Sequence, residues 1–354
     1  MSKSKPAKRK RINLALQGGG SHGAFTWGVL DEILADDRLE IAAISGTSAG
    51  AMNAVVLAQG HVDGGPEQAR YKLEEFWHLV SKAAKSSPIQ RAPLDILMGN
   101  WSMENSWGYR AMDSMTRTLS PYQFNPMNMN PLKELLESCV DFSRVQNCED
   151  IKLYISATNV ESGRVKVFDS HDLTADMVMA SACLPQMFQA VIIDDVPYWD
   201  GGYMGNPVLF PFHHHTDSAD IVVVQINPIE RKGVPTTPME IQNRMSEINF
   251  NSSLMKELRS IEFVARLLEE GKVDKDHYRQ EYIHIIENQE ALRPLGASSK
   301  LNAEWKFLTM LRDIGRQSAA AWLERHFDDI GHRNTVDLKT MFHGPAEDTQ
   351  AIAS

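Results

Sequence analysis

Cysteine is scarce in this chain. Three residues in 354 (Cys139, Cys148 and Cys183) are too few and too scattered for a disulfide framework. No apolar run reaches the roughly 18 residues of a membrane-spanning helix. No apolar stretch follows the basic start, which reads against a secretory signal, and no internal repeat is present. Positive charge is also in deficit: 36 Lys and Arg against 46 Asp and Glu give a net charge of −10, which excludes a general nucleic-acid binder. The exception is the start, where Lys3, Lys5, Lys8, Arg9, Lys10 and Arg11 occur without an acid. Residues 1–11 read as a disordered basic arm, with adhesion to an anionic membrane as its functional alternative, at about 1 kcal/mol per basic residue near such a surface. Metal-ligand spacing is missing too. His213, His214 and His215 are consecutive, cannot converge on one ion from regular structure, and have no acid or cysteine at ligand spacing. No metal or cofactor is expected. The 43 % of apolar residues is ample for a core, and a cytoplasmic enzyme that visits membranes peripherally fits these absences.

What is present concentrates near the start. Leu39–Ser45 reads as a short buried strand and Ala49–Ala58 as a helix, and between them lies Gly46-Thr47-Ser48-Ala49-Gly50, a G-x-S-x-G pentapeptide. A serine on a strand-to-helix turn is held strained and exposed, with only small neighbours tolerated. The helix N-terminus behind it offers free N–H groups to a developing negative charge. Upstream, the strand Ile12–Leu16 runs into Gln17-Gly18-Gly19-Gly20-Ser21-His22-Gly23, and Ala24–Leu34 shows helical apolar spacing. Gly18, Gly20 and Gly23 fit the dinucleotide pattern, but the acid that pattern needs at the end of the second strand is absent. The competing use is an oxyanion hole, and adjacent parallel strands would bring both loops to one sheet edge.

The third motif is Asp200-Gly201-Gly202. A nucleophile after only two strands, with the glycine loop ahead of it, argues against the α/β-hydrolase fold and agrees with a Ser–Asp dyad. With these three motifs in order, the chain closely resembles the patatin-like phospholipase family. The runs Ala180–Phe188 and Gly205-Asn206-Pro207-Val208 add to the resemblance, which spans residues 12 to about 226. It implies a three-layer α/β/α patatin-like fold with a mostly parallel central sheet. It also implies a lipid acyl hydrolase of phospholipase A or lysophospholipase type. Ser48 would be the nucleophile and Asp200 the proton acceptor. Gly18, Gly19, Gly20 and Ser21 would form the oxyanion hole, with Gly23, Gly46, Gly50, Gly201 and Gly202 as motif glycines. The chain departs from the family at His22, where the glycine loop usually carries Arg or Lys.

Elsewhere the signals are weaker. Residues 67–85 read as a helix. The Met- and Trp-rich stretch from Leu94 to Tyr109, with Met127 and Met129, suits an acyl-chain pocket or lid. Met98, Trp101 and His22 are the substrate-binding candidates. Residues 151–159 and 164–168 read as a strand pair, 172–182 as a helix, and 221–227 and 281–286 as strands. Long helices over 239–270 and 301–326 place a helical C-terminal extension at 231–335 on a catalytic domain at 12–230, followed by a flexible tail at 336–354. The alternatives are a general carboxylesterase or an acyltransferase on the same dyad, and a non-catalytic membrane-associated protein.

Overall fold

The computed structural model of the chain describes residues 9–274 and 276–343. It is built on one eight-stranded sheet in the order β5-β6-β3-β2-β1-β7-β8, with β4 paired to β3 off that path. The strands are β1 (Lys10–Leu16), β2 (Leu39–Gly46), β3 (Lys152–Asn159), β4 (Val165–Asp169), β5 (Val191–Ile193), β6 (Val196–Asp200), β7 (Asp220–Val224) and β8 (Tyr282–Ile286). The pairs from β3 through β2, β1 and β7 to β8 are parallel, while β4, β5 and β6 are antiparallel additions. The major helices are α1 (Gly23–Ala35), α2 (Ala49–Ala84), α3 (Trp107–Thr118), α4 (Pro131–Cys139), α5 (Ala175–Ser181), α6 (Pro238–Glu269) and α7 (Trp305–His326).

Side chains alternate along each strand and divide the core into two faces. Ile12, Leu14, Leu16, Leu153, Ile155, Val222 and Val224 meet α1, α2 and α7 on one face. Ala15, Ala43, Tyr154, Ile221, Val223 and Ile283 meet Leu254, Leu258 and Ile261 of α6 on the other. The C-terminal region is therefore built into the sheet's layers. It supplies a helix to each face and also a strand, β8, as the sequence reading of 281–286 expects. The helices expected over 49–58 and 67–85 form as two segments that meet at a kink at Gly64 and Gly65 just before Pro66, whose ring removes a helical N–H.

Both terminal boundaries move. Lys10 and Arg11 belong to β1, not to a free arm. The Lys10 ammonium donates to the carbonyls of Phe327 (2.8 Å) and Ile330 (3.0 Å), and Arg11 pairs with Glu40 at 2.9 Å. Lys3, Lys5 and Lys8 lie outside the described residues. At the other end, Leu338–His343 forms a helical turn with Leu338 buried in the second core, so the flexible tail does not begin at 336. Residues 344–354 lie outside the described region.

The position of β6 sets the site. β4 pairs with β3 over Tyr154–Thr158 and so takes one edge of β3. β2 (against Lys152–Ile155) and β6 (against Ala157–Asn159) follow one another along the opposite edge. The turn that leaves β2 and the end of β6 are thereby set next to each other.

Candidate active site

Ser48 caps α2 with φ 53° and ψ −118°. This is a region that a side-chain-bearing residue adopts only when its surroundings enforce it. The enforcement is visible. Ser48 N donates to Ser181 Oγ at 2.8 Å, Gly50 N to Thr47 O at 2.8 Å, and Met52 N to Ser48 O at 3.0 Å. The Thr47 hydroxyl lies 2.6 Å from Ser156 Oγ on β3, and both hydroxyls donate to Gly205 O. Gly50 must be glycine, because a Cβ there would collide with the Leu16 carbonyl at the end of β1.

Asp200 ends β6, opposite Ala157. It is buried, at 2 % exposure. Its N–H is held by Cys183 O at 2.8 Å and its carbonyl by the Thr158 hydroxyl at 2.8 Å. The carboxyl accepts Gly202 N–H at 2.7 Å, and the Ser48 hydroxyl is near enough to lower its pKa. Burial pushes the carboxyl up to about 7. The Gly202 N–H, the Ser48 hydroxyl and the charge on Lys300 pull the other way.

The glycine loop lies beside them. Gly18 N–H is not a free oxyanion donor, because it is committed to Asn206 Oδ1 at 2.7 Å. Gly19, Gly20 and Ser21 have N–H groups with no acceptor among the described residues, as does Ala49 at the start of α2. Gly20 takes φ +57° with the Lys300 carbonyl packed where a Cβ would stand. His22 is buried, with Nε2 2.8 Å from Ser299 Oγ. Burial, and then the Lys300 charge, hold its imidazole down at about 3, so it is neutral at pH 7 and supplies no cation.

The structure thus gathers Ser48, Asp200, the motif glycines and His22 at one end of the sheet. The other substrate-binding candidates, Met98 and Trp101, lie on the segment that follows α2. Met98 is 75 % exposed to solvent. The Trp101 ring packs against Phe307 (5.1 Å, tilted) and the Arg91 guanidinium (4.3 Å). Sequence reasoning missed Ser181 and Asn206 as holders of the serine turn and glycine loop, although both sit in runs that carried the family resemblance. It missed Asn227 and Lys300 with no comparable signal. His213, the first of the histidine run, pairs with Glu281 at 2.6 Å. Among the described residues no cluster of three His, Cys, Asp or Glu is arranged to hold a metal.

Fold and site together define an α/β protein whose second strand turns sharply into a serine-capped helix, with a buried aspartate facing that serine. The patatin-like phospholipase family model matches residues 14–213, and the chain belongs to that family. Membership supports lipid-hydrolase activity. A comparison with curated proteins gives no match. Among solved structures, VipD from Legionella pneumophila is similar at 15 % identity and TM-score 0.35, covering 89 % of this chain and 72 % of that one. The type III effector ExoU is similar at 13 % identity and TM-score 0.34, covering 90 % of this chain and 53 % of that one. The chain therefore spans about half of ExoU's length. Full-length ExoU in complex with SpcU, from the type III secretion system of Pseudomonas aeruginosa, gives 12 % identity, TM-score 0.29, and 91 % and 60 % coverage. No described helix is long and apolar enough to cross a membrane.

Proposed function

We propose that the protein hydrolyses carboxylic esters of phospholipids or lysophospholipids through an acyl-enzyme on Ser48, with Asp200 as the base. The observation that carries this reading is the Asp200 carboxyl, buried beside the Ser48 hydroxyl, whose burial raises it to about 7. An ordinary carboxylate near 4 is a weak base for a serine hydroxyl, whereas one near neutrality is matched to the task. Ser48 Oγ attacks the ester carbonyl as its proton passes to Asp200. The carbonyl oxygen takes the charge and is met by the N–H groups of Gly19 and Gly20, with the α2 terminus at Ala49 behind. Collapse of the intermediate expels the alcohol or lysolipid, which takes the proton from Asp200. Water, deprotonated by Asp200, then hydrolyses the acyl-enzyme and restores Ser48. A lipid substrate is supported by the large apolar side chains exposed on the segment after α2, among them Leu97 (83 %), Trp107 (83 %) and Met127 (81 %).

The test is a series of p-nitrophenyl esters of increasing chain length, followed by phospholipid vesicles. Wild type should turn over both. Ser48→Ala and Asp200→Asn should each lose on the order of a thousandfold or more in kcat. Wild type inert on every ester, or Ser48→Ala with full activity, overturns the reading. Activity on short soluble esters alone reassigns the substrate to a general carboxylesterase range.

A further inference from the structure

The family cation expected in the glycine loop is missing, and the residue in its place, His22, is neutral. A buried ammonium nevertheless reaches the same loop from far along the chain. The short turn Ala297–Leu301 precedes α7. It lays the Lys300 carbonyl against Gly20 and Ser299 Oγ against the His22 imidazole. Lys300 Nζ then donates to Asn227 Oδ1 at 2.7 Å. An ammonium only donates, so this bond fixes which way the Asn227 amide faces. Asn227 Nδ2 is left to donate to Gly18 O at 2.8 Å and to Gln17 Oε1 at 3.2 Å.

Among the described residues the single cis peptide is Asn206–Pro207, so the Gly18–Gly19 peptide is trans. Its C=O and the Gly19 N–H point in opposite directions. Holding the Gly18 carbonyl on the Asn227 side therefore turns the Gly19 N–H away from it. Asn206 pins the same segment through Gly18 N.

We propose that Lys300 is a positioning residue of the oxyanion loop: through Asn227 it locks the Gly18–Gly19 peptide with the Gly19 N–H presented to the acyl site, and it places beside the loop the positive charge that His22 does not provide. The proposal rests on the Ser48–Asp200 reading. The charged groups facing the ammonium come from several elements. Glu247 on α6 and Asp200 on β6 favour its charge. Burial and Arg231 oppose it, and together these bring it down to about 8. Arg231 is itself paired with Glu247 at 2.6 Å, and the Phe250 ring lies 5.7 Å away as a further partner. The neutral His22 completes the surroundings.

Lys300→Met keeps the stem and removes the charge. It should lower kcat about tenfold or more, as expected when a supporting partner of a reacting group is lost, with KM changed less than about twofold. The pH profile separates this role from simple packing. Wild-type kcat/KM should fall on the alkaline side near pH 8 as Lys300 loses its proton. In Lys300→Met that limb should vanish, and the acid limb, set by Asp200, should move to higher pH because a nearby positive charge is gone. Asn227→Asp is nearly isosteric and retains the partner of Lys300, yet it cannot donate to Gly18 O. It should lose kcat to a similar degree at a temperature where it stays folded, with a lower melting temperature, because the Gly18 and Gln17 oxygens lose their donor. Lys300→Arg should recover part of the loss. Wild type inert toward all esters overturns the dyad reading and this one with it. Active wild type together with Lys300→Met of unchanged kcat and unchanged pH limbs overturns the role of Lys300 alone.

Discussion

At the scale of single residues, the tension in the site is between Asp200's burial and its charge. Its carboxyl ionises near 7 in the folded protein and at 3.8 when unperturbed. Between those values the native state holds a proton that the unfolded chain has released. The Asp200 contribution to stability is therefore full below about pH 4 and declines as pH rises to 7, by up to roughly 4 kcal/mol for a shift of about three units. Asp200→Asn removes the buried charge, so it should melt higher than wild type at pH 8, and the gap should shrink at pH 5. Thermal melts at both values check this, and an equal gap at both would contradict it. The same variant should be inactive, so stability and activity move in opposite directions at one atom. Ser181→Ala has a different signature. It deprives Ser48 N of its acceptor, a loss of about 1 kcal/mol for a hydrogen bond, and it should lower the melting temperature and also reduce kcat severalfold by loosening the serine turn.

At the scale of elements, the glycine loop makes a sharp prediction. Gly20→Ala adds a methyl at φ +57° and against the Lys300 carbonyl. It should cost about 1–2 kcal/mol in backbone strain alone, and activity should fall further because the loop must shift away from Ser48. A variant with wild-type kcat would show that the loop does not contribute to the reaction. The elements that carry this site were legible because they are short-range in sequence. Ile12–Leu16 and Leu39–Ser45 are compact apolar runs, each ending in a small-residue turn, and such a turn has few conformational solutions. What was not legible is long-range or irregular. The chain between Pro93 and Gln146 is split into short helices separated by loops, so no long periodic run says what Met98 and Trp101 face; Met98 is exposed to solvent and Trp101 packs against Phe307. Lys300 gave no local sign at all. Its role follows from where α7 docks on α1, and a lysine in a loop looks like any other solvated lysine until that docking places it.

At the scale of the whole molecule, the span matched to the family and the folding unit are different lengths of chain. A fragment of residues 14–213 would retain Ser48 and Asp200 yet lack β7, β8, α6 and α7. That would unpair the β1 edge where Leu14–Leu16 bond to β7 and strip α6 from the second face. Open edges and apolar faces associate, so this fragment should be insoluble, and a soluble, monodisperse product on gel filtration would contradict the shared core. Within the intact chain, Leu254→Ala removes a fully buried side chain from that second face and should cost roughly 2–5 kcal/mol with little change in kcat for the protein that remains folded. One consequence follows from β2 and β6 succeeding one another along β3. Their pairings end at Ile155 and resume at Ala157, leaving Ser156 as the spacer. A strand advances by about 3.3 Å per residue and alternates its sides. The separation of nucleophile and base is therefore counted in whole residues, and the smallest error, one residue inserted at 156, would displace Asp200 by a full step and turn it to the opposite side of the sheet. Evolution can tune everything around this site continuously, but the gap between its two reacting groups only by integers.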